Sequence, residues 1–189
     1  MAPLQWTETT PGHYERPLDD IESLFAQVAS RGGPIGREHT AITAGVKIEL
    51  ESADLVAVVK QAWTTLRYEC PSLATTTEGD KRVYQVANDA ELESWLEETF
   101  IVDDSTTDAE RLFSKLRPVK RATLYLLLQS KELVFRCSHD RFDGVGIIYF
   151  FDHLLQVLAS PKKIGFGDEA KNLFPTLKIP IYQMRHRAK

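Results

Sequence analysis

Along this chain the apolar positions change from helical to strand spacing and back, and each change marks a new element. From Leu18, the residues Ile21, Leu24, Phe25, Val28 and Ala29 recur at helical intervals until Gly32-Gly33-Pro34, which predicts a core-facing amphipathic helix. Over residues 40–50, Ile42, Ala44, Val46, Ile48 and Leu50 alternate with polar neighbours, the period of a strand with one buried face. Ser52 then reads as a helix N-cap, with Asp54 in the first turn. Leu55, Val58, Val59, Ala62, Trp63 and Leu66 form one apolar stripe, so a buried helix is expected over residues 53–68, stopped by Pro71. A short strand over residues 73–77, a turn at Glu78-Gly79-Asp80 and a returning strand over 82–86 follow.

Beyond these lies an acidic stretch in which Leu92, Trp95, Leu96 and Thr99 share one face, the pattern of a short surface helix. Residues 100–117 read as loop with some helix. The segments 121–129 and 132–138 are strands joined tightly at Ser130-Lys131, and the run Leu124-Tyr125-Leu126-Leu127 implies cover on both faces. Val145, Ile148, Tyr149, Phe151, Leu154, Leu155 and Leu158 then predict a helix over 145–159, ended by Ser160-Pro161. The order of elements is that of an α/β (α+β) sandwich, a mixed sheet with helices packed against it. Residues 1–17, rich in Pro, Thr and Gly, read as an extended arm, residues 18–160 as the folded unit, and residues 161–189 as a crossover or linker.

Composition narrows the function classes. In a chain of 189 residues, 43% apolar and 26% charged residues are those of a soluble globular domain, expected in the cytoplasm because the first twenty residues lack an apolar h-region. No run approaches the ~18 apolar residues of a membrane span, so no membrane partner is expected. The net charge of −4 argues against nucleic acid, and the short basic run Arg185, His186, Arg187, Lys189 reads as a solvated tail. Cys70 and Cys137 belong to no Cys/His cluster, and the acidic stretch lacks the EF-hand spacing, so no metal is expected.

The chemistry concentrates in Ser138-His139-Asp140-Arg141-Phe142-Asp143-Gly144. A histidine at the end of a buried strand, on the turn into a helix, sits at a rigid pocket edge and is suited to take a proton near neutral pH. Asp143 can fold back to fix the turn, and Gly144 offers backbone freedom or close approach. Ser138, Arg141 and Tyr149 are candidates for loop or pocket support. Cys137 reads as an inert core thiol, His153 as a helix-packing residue, His39 as a loop residue, and Tyr125 as core.

His139 to Gly144 matches the HxxxDG motif, and the chain resembles the superfamily of chloramphenicol acetyltransferases, peptide-synthetase condensation domains, plant acyltransferases and fungal trichothecene acetyltransferases. The context agrees: the motif follows a hydrophobic hairpin and opens a helix, and Cys70-Pro71-Ser72-Leu73 occupies the place of the HPxLR element of condensation domains. Pro17-Leu18-Asp19-Asp20-Ile21-Glu22 looks like the opening of fungal members that acylate secondary metabolites. The likeness spans about residues 10–160 and implies a chloramphenicol acetyltransferase-like half.

On that resemblance, His139 would deprotonate the hydroxyl or amine of a small secondary metabolite, which would attack a CoA or carrier-protein thioester with no permanently bound cofactor. Asp143 would orient the loop through an arginine, and Gly144 would leave room for substrate. Ser138 replaces the first histidine of the double-histidine form, and Ala74 stands where condensation domains often place the arginine that pairs with the motif aspartate. That leaves Arg136, Arg141 or Arg67 as the partner of Asp143. Two-half members carry a DFGWG-type element that is absent from this sequence, so a homo-oligomer or a complementary C-terminal half is expected. Two other readings remain: a non-catalytic half that binds a partner, or the fold reused for acid–base cyclisation or isomerisation.

Overall fold

The computed structural model of the protein describes residues 5–30, 40–116, 120–161, 164 and 169–173. The Gly32-Gly33-Pro34 stop, the loop position of His39, the basic run Arg185 to Lys189 and most of residues 161–189 lie outside the described residues.

Two four-stranded sheets organise the chain. The first contains β1 (Thr7–Thr10), β2 (His13–Pro17), β4 (Thr76–Glu78) and β5 (Lys81–Gln85) in the order β1-β2-β5-β4. Residues 1–17, read as an extended arm, thus contribute a hairpin that turns at Gly12, where φ is +76°. The second sheet contains β3 (Ala41–Lys47), β6 (Phe100–Asp103), β7 (Thr123–Leu127) and β8 (Glu132–Ser138) in the order β3-β8-β7-β6. Its pairings are antiparallel except for the parallel pair β6–β7.

The cover on both faces predicted for the central strands sets the layering. On β7 and β8, Leu124, Leu126, Leu133, Phe135 and Cys137 enter the main core, whereas Leu127 and Val134 enter a smaller cluster on the other face with Leu112. Both strands are therefore covered on both sides, as their unbroken apolar runs require. The main core is closed by α2 (Leu55–Glu69), α3 (Asp89–Thr99) and α5 (Gly144–Ala159), with Trp63 stacked on Trp95 and Phe135 stacked on Phe150. A short helix, α4 (Ala109–Phe113), supplies Leu112 to the second face.

Several expectations are corrected. The cap of α2 is Asp54, which accepts from the Ala57 amide at 2.9 Å, while Ser52 Oγ accepts from the Asp54 amide one step earlier. Residues 71–74 form a 3₁₀ turn, because Pro71 suits the first position of a new turn as readily as it stops the old helix. Residues 100–103, read within a loop, form β6.

The largest correction concerns α1 (Asp20–Ser30). Its apolar residues Ile21 and Leu24 are 50% and 58% exposed, and the side chain it buries is Glu22, at 6%. Asp19 caps it reciprocally: Asp19 Oδ1 accepts from the Glu22 amide at 2.7 Å, and Glu22 Oε2 accepts from the Asp19 amide at 3.0 Å. Within this chain α1 is docked by charge, and its apolar face is left open.

Candidate active site

His139 sits where β8 ends, and its amide donates to Thr40 O at 2.6 Å beside the edge strand β3. One face of the imidazole stacks on Phe25 of α1, with centroids 4.4 Å apart and an interplanar angle of 13°. Nδ1 is buried with no hydrogen-bond partner among the described residues. An unpaired buried nitrogen costs about 1–3 kcal/mol, so its position calls for an explanation.

The loop after His139 is gripped from three sides. Asp140 binds Arg82 of β5, with Nη2 to Oδ2 at 2.7 Å. Arg82 Nη2 also reaches Glu22 Oε1 at 3.3 Å, and Arg16 of β2 holds that carboxylate with two bonds of 2.7 and 2.6 Å. Arg141 turns towards the Pro71–Ala74 segment, donating to Thr75 O, to Thr75 Oγ1 at 3.1 Å and to Ser72 O at 3.4 Å. Phe142 packs edge-on against Phe135 and Phe150 of the core. Finally Asp143 caps α5 by accepting from the Gly146 amide at 2.6 Å.

These contacts revise the roles expected of the candidates. The carboxylate of the loop that pairs with Arg82 is Asp140, an arginine and a partner that spacing did not suggest. Ala74 leaves no arginine in the Pro71–Ala74 turn, and Arg141 of the motif reaches that turn from the opposite direction instead. A Cβ on Gly144 would meet nothing within 4 Å, and its φ lies outside the left-handed region, so this chain alone does not require glycine there. The crowded position is Gly146, where a Cβ would lie 3.1 Å from Asp143 Oδ1. Ser138 accepts from Arg141 Nε at 3.3 Å, and Tyr149 faces outward on α5.

Phe25, Glu22, Arg82 and Asp140 were not singled out from sequence. The Asp19-x-x-Glu22 spacing, a capping-box pattern, is the sequence signal that could have found Glu22. Cys137 is fully buried, and burial together with Glu69 pushes the Cys70 thiol up to about 12, so neither thiol is suited to act as a nucleophile. His153 bonds Glu69 Oε2 at 2.7 Å and so ties α5 to α2. Among the described residues no group of His, Cys, Asp or Glu could hold a metal ion, and no helix is long and apolar enough to cross a membrane.

Burial alone would raise the carboxyls of Glu22 and Asp140. Arg16 and Arg82 around Glu22, and Arg82 and Arg141 around Asp140, outweigh it and hold both below their ordinary values. Burial, with Arg82 nearby, lowers Arg141 to about 10. A depressed carboxyl stabilises the fold above its unfolded pKa, and that contribution disappears as the pH falls through the folded value. The stability gap between the wild type and Glu22→Gln is therefore expected to be full at neutral pH and to narrow below about pH 4. Thermal melts of both proteins between pH 7 and pH 3 read this directly, and a gap that widens with acid would contradict it.

This mixed sheet, with a buried hairpin that ends in a histidine loop opening a helix, has the fold of part of a solved fungal acetyltransferase. The chain superposes on the trichothecene 15-O-acetyltransferase TRI3 of Fusarium sporotrichioides with a TM-score of 0.72 and 19% identity, over 90% of this chain and 42% of that one. It also superposes on the peptide-synthetase cyclization-docking bidomain EpoB of Sorangium cellulosum, with a TM-score of 0.52 and 16% identity, over 80% of this chain and 32% of that one. In sequence it is 28% identical over 185 residues to acetyltransferase pigO of Monascus ruber, spanning 93% of this chain and 40% of that relative. No family model matches. The chain thus spans about two fifths of the length of acetyltransferases it resembles.

Proposed function

We propose that this chain forms one half of an acyltransferase that moves an acyl group from a CoA or carrier thioester to a hydroxyl or amine of a small secondary metabolite, with His139 as general base. The observation that carries the reading is the imidazole itself: stacked on Phe25, with Nδ1 buried and without a hydrogen-bond partner among the described residues, at the end of β8 in a fold shared with a trichothecene acetyltransferase. With Nδ1 enclosed, Nε2 is the nitrogen assigned to accept the proton of the acceptor. The freed oxygen or nitrogen attacks the thioester carbonyl. Collapse of the tetrahedral adduct expels the thiolate, which takes the proton back from the imidazolium.

One wall is not a site. Two concavities, of about 780 and 370 Å³, gather around Gln85, Asn88 and Glu91, and neither is lined by His139. On α5, Val145, Ile148 and Tyr149 are exposed, Ile148 at 68%, and on α1 Ile21 and Leu24 are exposed. Exposed large apolar side chains on two helices favour a covering partner, either a second copy or a complementary half, which would exclude water and position both substrates.

The test combines mass and chemistry. Light scattering gives the solution mass of the chain, and thiol release from acetyl-CoA with a 15-hydroxytrichothecene acceptor probe is followed with and without the remaining part of a matching acetyltransferase. Acceptor-dependent thiol release by a closed oligomer or by the reconstituted pair is expected. A monomer that releases no thiol in either condition would sink the reading and favour a half that only binds a partner.

A further inference from the structure

We propose that Arg82 is the positioning residue of the His139 site, a single buried guanidinium that holds both the loop carrying the imidazole and the helix stacked on it. The inference rests on the reading of His139 as the base. Arg82 projects from β5 and is 2% exposed. Its Nη2 meets Asp140 Oδ2 at 2.7 Å, Asp140 O at 3.3 Å and Glu22 Oε1 at 3.3 Å, while Nη1 donates to Thr77 Oγ1 at 2.8 Å. Asp140 follows His139 directly, and Glu22 lies three residues before Phe25, on the same side of α1. The orientation of the imidazole is set by these two neighbours: the loop backbone fixes where the ring starts, and Phe25 fixes the plane in which it lies. Arg82 is the group that bonds to both.

The rest of the network does not do this. Arg16 already secures Glu22 to β2 through its own paired bonds, and the register of five residue pairs between β2 and β5 holds the sheet without a side-chain link. What Arg82 adds is the connection from that anchored helix to Asp140. Lysine cannot supply it, because one compact ammonium lacks the planar fork that spans two carboxylates and a hydroxyl. Misplacing a reacting group by about 1 Å costs on the order of 10²-fold in rate, so this connection bears on catalysis without Arg82 touching substrate.

The experiment is an NMR measurement on the whole chain, with the His139 ring signals assigned by their loss in His139→Gln. Stacking on Phe25 moves those signals upfield, and Phe25→Leu marks the position they take without it. Arg82→Lys and Glu22→Ala are expected to lose most of the upfield displacement and to broaden, while Asp140→Asn, which keeps an acceptor for Arg82, retains it. Val59→Ala, a core truncation on α2, serves as the control for lost stability alone and is expected to leave the signals in place. In the acyl-transfer assay Arg82→Lys is expected to lower kcat about 10²-fold with KM unchanged. Signals in folded Arg82→Lys and Glu22→Ala that superimpose on the wild type would overturn the proposal, as would an equal loss of the upfield displacement in Val59→Ala. If His139→Ala keeps acyl transfer, the assignment of the base falls, while the ring signals still decide whether Arg82 orients the imidazole.

Discussion

Replacing His139 by alanine is expected to lower thioester-dependent acyl transfer by about 10²–10⁴-fold, the contribution of a well-placed general base. The fold should survive. The imidazole is half-buried, and its stacking on Phe25 is worth about 0.5–1.5 kcal/mol. Removing it also removes a buried nitrogen without a partner, whose cost is of similar size and opposite sign. The melting temperature should therefore move little, and lost rate can be read as lost chemistry. The measurement is single-turnover thiol release by wild type and variant under conditions where the wild type is active. An unchanged rate in a folded variant would end the assignment of His139 as the base. The same variant separates acyl transfer from an acid–base cyclisation: the latter would need His139 and run without any thioester.

How far the sequence announced this site depends on the kind of interaction that builds each part. The strand β8 and the helix α5 were visible because their periodicities are local, and His139 was visible because it stands where one period gives way to the other. β1 and β2 were not read as strands, since short polar edge strands carry little alternation and their partner β5 lies some seventy residues on. β6 was hidden for a related reason: four residues inside an acidic stretch become a strand only by parallel pairing with β7. On α1 the period was right and the inference from it was wrong. A period tells which residues share a face, but whether another surface covers that face is decided by the rest of the fold, and here Glu22 is the buried contact. The grip on the motif loop was the least readable part. Arg82 and Asp140 are 58 residues apart, and no spacing rule joins a guanidinium to a carboxylate over that distance.

The second large effect is expected in the core that supports this loop from behind. Trp63→Ala should cost about 3–5 kcal/mol, because the ring is fully enclosed and the neighbours cannot collapse into the space it leaves. Trp63 stacks on Trp95 at 5.2 Å and meets Phe135 and Phe150 edge-on at 6.2 and 6.1 Å. Its Nε1 donates to Thr99 Oγ1 at 3.0 Å. Trp63→Phe keeps most of the ring contacts and should lose only about 1–2 kcal/mol, from the missing hydrogen bond and a smaller void. Thr99 is not stranded in either variant, since its hydroxyl still donates to Trp95 O at 2.7 Å. Urea midpoints at unchanged slope measure both values, and a loss below about 1 kcal/mol for Trp63→Ala would show a core loose enough to repack. The consequence reaches the site through aromatic contacts. Phe135 and Phe150, which Trp63 supports, are also the residues on which Phe142 of the motif loop rests. The loop is thus held at its front by Arg82 and Arg141 and at its back by this cluster. Trp63→Ala should loosen the back while leaving the ionic contacts of the front in place, so any rate it loses in the folded state would measure how much of the placement of His139 comes from the core.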